Sequence, residues 1–199
     1  MPVREALYNA RRGIAIIAVT YAVTLAAGMV MAHAGVQFAL HFRDSLVVRA
    51  HRDDPASRAD DGGRHLKAAA IDFSRNLFAA AIPETVGGLT VVLPVGLAAY
   101  RGWVGGIVSV DGHHESRLKQ PRSATYFIVT LLLQLSGFTL AGGGGVHLGL
   151  AYLRRVGPSV GPRWFRLPRP ALIDVAWLYS LAVPLFALGS LWEFLGPAR

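Results

Sequence analysis

Cysteine is absent from all 199 residues. Its absence excludes disulfides, thiolate nucleophiles, Cys-ligated metal sites and lipidation at cysteine, while saying little about compartment. Charge is scarce too: 16% of residues are Asp, Glu, Lys or Arg, against roughly a quarter in soluble domains. No Ser-His-Asp order or paired carboxylates stand out, and His113-His114-Glu115 lacks the His-Glu-x-x-His spacing that puts two ligands on one helix face. The chain therefore does not read as a soluble enzyme, and no catalytic, metal-ligating or cofactor-binding residue is assigned. His113 to Glu115 reads as a solvated loop.

Apolar sequence is what the chain has in abundance: 53% of residues are hydrophobic and the mean hydropathy is +0.40. Long apolar runs alternate with short arginine-rich stretches, as spans alternate with loops. The net charge of +8 would suit a nucleic-acid binder. However, the charges gather at Arg4, Arg11 and Arg12, in a mixed-charge stretch at 43–75, and between Arg154 and Arg169. Juxtamembrane arginines explain that distribution more simply, and no nucleic-acid partner is expected.

The expected fold is all-α: a polytopic transmembrane helical bundle of about five spans, some broken or short, forming a single membrane domain. The spans fall at about 14–36, 77–99, 102–115, 124–152 and 171–196. Arg11 and Arg12 put the N-terminus in the cytoplasm. Ala32-His33-Ala34 offers a cleavage-like site, but Gly13 to Leu40 outruns a signal-peptide core of roughly 7–15 residues, so an uncleaved span is expected. Residues 41–76 form a hydrophilic outer loop with interfacial helices on either side of an exposed turn from Asp53 to Gly63. The basic loop 153–170 contains no acidic residue and reads as cytoplasmic.

The segment at 102–115 is inferred from parity rather than hydropathy. Tyr126–Tyr152 must enter the basic loop from outside. If the second span ends inside at Arg101, the chain must cross outward once more before Ser123. In the last span Trp177 and Trp192 sit as interfacial aromatics, with Pro184 between them.

A handful of intramembrane residues deserve a role. Glu84 lies in the second span among Pro83, Gly87, Gly88, Pro94 and Gly96. A carboxylate there costs several kcal/mol unless it is satisfied, so it is either a proton or ion site or a structural partner of a freed amide or an arginine. Gly142, Gly143, Gly144 and Gly145 let another backbone approach; a phosphate-cradling loop would need a strand before them and a lysine after. His147 reads as a bundle-facing hydrogen-bonding group, and Gln134, Ser136 and Thr139 as cross-helix polar contacts. Glu193 lies near the exit of the last span, and Arg75 and Asn76 at the mouth of the second.

Over about 72–197 the order of features resembles the stage II sporulation protein M family of bacterial membrane proteins. The resemblance rests on Asn76, on Gly87-Gly88, and on Arg101-Gly102 with Gly105-Gly106. It continues through Leu140 to Gly149, and through Tyr179, Pro184-Leu185 and Leu191 to Leu195. One departure stands: where the family carries Pro-His-Gly and a Glu, this chain has Val129-Thr130-Leu131 and Gln134. The resemblance implies a non-enzymatic inner-membrane scaffold or assembly subunit without cofactors. Its partners would be the lipid bilayer and other membrane proteins, among them envelope enzymes or an ATPase. A permease or channel subunit that uses the broken helices and Glu84 is the alternative.

Overall fold

A computed structural model describes residues 2–154, 163–164 and 167–196. The fold is nearly all-α. Helix α1 spans Pro2–His33, α2 Gln37–Asp53, α3 Pro55–Asp61, α4 His65–Ser74, α5 Ile82–Gly87, α6 Val92–Ile107, α7 Pro121–Arg154 and α8 Arg169–Leu195. Two two-residue strands, β1 (Arg163–Trp164) and β2 (Leu167–Pro168), pair antiparallel ahead of α8. Three helices, α1, α7 and α8, are long and apolar enough to cross a membrane.

Direction follows from which residues meet. Helices α7 and α8 are antiparallel: Tyr126 stacks on Trp192 at one end, Phe186 lies against Gly137, and His147 reaches Asp174 at the other. Helix α1 is also antiparallel to α7, with Gly13 and Ile14 seated on Gly143. The end of the bundle that carries Arg11, Arg12 and Arg154 is called the basic end below, and the other the distal end.

Between α4 and α6 the chain makes a hairpin. Helix α4 continues through a π-helical stretch, Arg75–Ala81, into α5 and a 3-10 turn, Gly88–Thr90. The wide turns have a cause. Pro83 has no N–H to give residue 79, and the register shifts by one residue just before it, with Ile82 N–H donating to the Leu77 carbonyl. This leg descends from the distal end, where Asp72 meets Ser190, to the basic half, where Gly88 meets Gly145 and Gly149.

Val91 then reverses the chain at φ 62°, an unusual conformation for a β-branched residue. Helix α6 returns alongside α1, running the same way. Gly102 packs on Tyr21 and Thr24, and Gly106 on Leu25 and Gly28, so a Gly-x-x-x-Gly face brings the two backbones together.

The core runs along α7. Ile17, Tyr21, Leu77, Ala141, Val146 and Phe186 are buried together, and Phe138 meets Phe186 edge-on at 4.8 Å. Two smaller clusters lie at the distal end. One joins Ala32, Ala39 and Leu40 to Ile107 and Val110; the other seats Phe194 among Ala56, Ala59, Ala68 and Ala69.

Three expected boundaries need correction. The break expected at Arg101 lies at 88–91 instead, and α6 runs unbroken through Arg101. Thr90 Oγ1 accepts from Leu93 N at 3.2 Å and Pro94 sits in the first turn, both helix-start signals. Residues 108–116 are not helical. They form a turn closed by a Val110–Ser116 bridge, in which the Asp111 carboxylate accepts from the backbone N–H of His113 and Glu115. The stretch expected as an exposed turn holds α3, because the Asp54 carboxylate caps the N–H groups of Ala56 and Ser57 and Pro55 opens the helix. Much of the basic loop, including Arg155 and Arg166, lies outside the described residues.

The hairpin apex gives a direct test. A Cβ on Gly88 would strike the backbone of Gly145, whereas Gly96 faces open space. Gly88→Ala should destabilise the detergent-solubilised protein by about 1–3 kcal/mol through overpacking. Gly96→Ala should be neutral, or stabilising by roughly 0.5–1 kcal/mol. Thermal unfolding of the two variants separates these outcomes.

Candidate functional site

The site is built on one turn of α7. Gly142 to Gly145 are four successive residues about 100° apart, so together they bare the helix on every side. Gly142 faces the Glu84 carboxylate and Ile17. Gly143 faces the backbone of Ile14 on α1, Gly144 faces Leu178 and Val175 on α8, and Gly145 faces the backbone of Thr85 on α5. Three neighbouring segments therefore converge on one bare turn.

Glu84 lies over Gly142, fully buried, and its Oε2 accepts from Arg101 Nη1. The Arg101 guanidinium stacks 4.0 Å from the centre of the Phe138 ring, and the Tyr21 hydroxyl lies in the field of both charges. Side chains on a helix lean toward its N-terminus. Arg101 on α6 thereby reaches back toward the hairpin apex to meet a residue 17 positions earlier. Only Oε2 is satisfied: Oε1 has no hydrogen-bond partner among the described residues, and a Cβ on Gly142 would lie 2.6 Å from it.

One residue further on, Thr85 Oγ1 lies 2.9 Å from the Ala141 carbonyl, 3.0 Å from that of Ala81 and 2.8 Å from the Tyr179 hydroxyl. The single Thr85 proton serves a carbonyl while Tyr179 donates to Thr85, which ties α5, α7 and α8 together.

Two further polar clusters flank this centre. Toward the distal end, buried Asp72 Oδ2 accepts from Ser190 at 2.8 Å, from Asn76 at 2.9 Å and from Gln134 at 3.4 Å. Its Oδ1 accepts from Arg75, which also binds Asp54. At the basic end Asp174 meets His147 Nε2 at 3.0 Å and Asn9 Nδ2 at 3.2 Å.

Outside the bundle, Arg43 is buried beside Asp44 and holds that carboxyl below the usual range, with His114 contributing. Burial, with the nearby Arg43 charge, lowers Arg117. No group of three or more His, Cys, Asp or Glu positioned to hold a metal occurs among the described residues.

The sequence-selected residues are thus brought together unevenly. Glu84, Gly88, Gly142 and Gly145 share the central turn, and Gly143 and Gly144 seat α1 and α8 there. Gly87 points instead at the Leu93 side chain. Gln134 belongs to the Asp72 cluster and His147 to the Asp174 cluster. Glu193 offers its backbone carbonyl to the Tyr126 hydroxyl at 2.7 Å.

Sequence reasoning missed Arg101 as the partner of Glu84, because an arginine closing an apolar run looks like a flank. It also missed Asp72 and Asp174, each set among residues that read as a loop or a span end. The available signal was a lone carboxylate and an arginine in neighbouring apolar segments, since two buried charges of opposite sign call for each other. No family model, curated protein or solved structure matches the chain.

Removing one partner of a buried pair strands the other. Arg101→Met should cost about 3–5 kcal/mol of stability, since the Glu84 charge is left uncompensated. Glu84→Gln should cost less, because the Arg101 side chain is 21% exposed while that of Glu84 is 0%. The double variant should recover part of the loss. Unfolding measurements on all three form the cycle, and strict additivity would show that the pair is not coupled.

Proposed function

We propose that the chain is a non-enzymatic scaffold or assembly subunit of a bacterial inner-membrane or envelope complex. On this reading the bundle crosses the membrane five times, by α1, the α4–α5 leg, α6, α7 and α8, with its N-terminus in the cytoplasm. Helix α6, at 16 residues, is about 24 Å long, shorter than a hydrocarbon core of about 30 Å. Helices α2 and α3 then sit outside, docked against the distal end.

The observation that carries the reading is a groove of about 370 Å³ between α1 and α7. Its walls combine small residues, Ala18 and Ala22, with leucines and with the hydroxyls of Ser136 and Thr139. Those hydroxyls have no hydrogen-bond partner among the described residues. Small residues that admit a backbone, beside hydroxyls that can bond across, are what a partner transmembrane helix needs. Interior side chains such as Asp72, Thr85 and Asp174, by contrast, bond to this chain's own helices. The resemblance to the stage II sporulation protein M family points the same way, toward envelope enzymes or an ATPase as co-residents of the complex.

Ala22→Phe should fill the groove and abolish copurification of the native membrane partner after in-cell crosslinking. Leu188→Phe, on the exposed face of α8, should leave it intact. Equal recovery of partner with both variants would reject the groove as the assembly surface.

The unsatisfied Glu84 Oε1 favours a second reading, a permease or channel subunit, because an open acceptor inside a span can take a proton or an ion. On that reading Glu84→Gln abolishes coupled flux in proteoliposomes. Unchanged flux would leave Glu84 a structural group.

A further inference from the structure

At the basic end, α1, α7 and the start of α8 enclose a pocket of about 400 Å³. Its walls carry Arg11, Arg12, Arg154, His147, Asn9 and Asp174. The charges do not balance. Asp174, the only carboxylate lining it among the described residues, is engaged by His147 and Asn9. Arg11 gives Nη1 to the Tyr8 carbonyl at 2.9 Å and lies 3.7 Å over the Tyr8 ring. Arg12 and Arg154 have no ion-pair or hydrogen-bond partner among the described residues, so two guanidinium forks line one cavity whose carboxylate is engaged elsewhere. Guanidinium pairs suit phosphate oxygens, which they can bind in bidentate fashion.

Depth selects the source of the phosphate. Arg12 immediately precedes the apolar run that opens at Gly13, Arg154 is the last residue of α7, and Pro168, Pro170 and Ala171 frame the start of α8. All three apolar helices thus present this pocket at the level where hydrocarbon gives way to headgroups. Basic pockets between spans at that level recruit anionic lipids. We propose that the pocket binds the phosphodiester headgroup of an anionic phospholipid, with Arg12 and Arg154 as its principal ligands and the Asn9–Asp174–His147 cluster as its rigid floor.

The proposal rests on the membrane reading of α1, α7 and α8 and is independent of the scaffold role. Retention of the protein in carbonate-washed membranes tests the membrane reading by itself. The pocket is tested with purified full-length protein by native mass spectrometry and by titration with phosphatidylglycerol, phosphatidylcholine or inorganic phosphate. The wild type should retain phosphatidylglycerol at least tenfold more tightly than phosphatidylcholine.

Arg12→Ala with Arg154→Ala should remove that preference at an unchanged melting temperature. Arg49→Ala with Arg58→Ala, two exposed arginines on α2 and α3, should keep it. If the alanine pair unfolds, Arg12→Gln alone should still weaken phosphatidylglycerol binding severalfold. Equal binding of the two lipids, equal loss in the control pair, or an unaffected Arg12→Gln protein would overturn the proposal. Inorganic phosphate binding as tightly as phosphatidylglycerol would instead make this a free-anion site and overturn the lipid assignment.

Discussion

Everything in the bundle depends on one turn of α7 without side chains. Gly142 to Gly145 are met by α1 on one side, α8 on another, and by α5 with the Glu84 carboxylate on the rest. Lipid tails are as apolar as leucine, so burying apolar surface does little to hold spans together, and close packing must do the work. Close packing needs backbones to approach, and that requires residues without a Cβ. Four such residues in sequence destabilise an isolated helix by about 1 kcal/mol each relative to alanine. The cost is offset because every one of them is covered by a neighbouring segment. The same logic recurs where α6 meets α1 through Gly102 and Gly106.

Polar side chains then fix what close packing alone leaves free to slide. They sit at three depths: Asn9, His147 and Asp174 at the basic end; Glu84, Arg101, Thr85 and Tyr179 in the middle; Asp72, Asn76, Gln134 and Ser190 toward the distal end. Each cluster joins different segments, so no helix can translate along α7 without breaking one of them. A buried pair such as Glu84–Arg101 is a poor source of net stability, since desolvation consumes most of the attraction. Its value is register. The hairpin apex, with Val91 at φ 62°, is held because the charges on its two arms meet.

The long helices were legible because length and hydropathy decide them locally: α1, α7 and α8 each contain the apolar run expected there. The irregular second segment was also legible, since Pro83, Gly87 and Gly88 crowd helix-disrupting residues into one short stretch. Its apex was not. An arginine at the end of an apolar run carries the same local signal whether it borders the membrane or reaches a carboxylate 17 residues back, and only the tertiary fold separates the two. Asp72 was hidden for a related reason. Seen alone it belongs to a charged stretch; only when α4 meets α8 and α7 do Ser190 and Gln134 turn it into a buried acceptor. The cap at Asp54 was readable from Asp-Pro, yet the density of Asp, Ser and Gly around it looked equally like a turn.

These constraints bear on how the scaffold and transport readings differ. Alternating access requires one group of helices to rock against another about a site that both states can reach. Here the candidate carboxylate is wedged between a glycine backbone and an arginine stacked on Phe138, and the glycine turn that holds it also seats α1 and α8. Moving α5 away from α7 would expose Gly145 and Gly149, separate Thr85 from the Ala141 carbonyl and lift Glu84 off Gly142 at once. A transition that breaks several desolvated contacts together needs a ligand whose differential affinity repays all of them. A scaffold needs the opposite property, a bundle stiff enough that a groove such as the one between α1 and α7 keeps its shape before a partner arrives. Bare backbone in contact at Gly88 and Gly145, with Glu84 held to Arg101 beside it, opposes such a separation of α5 from α7. That opposition is why the assembly reading stands ahead of transport.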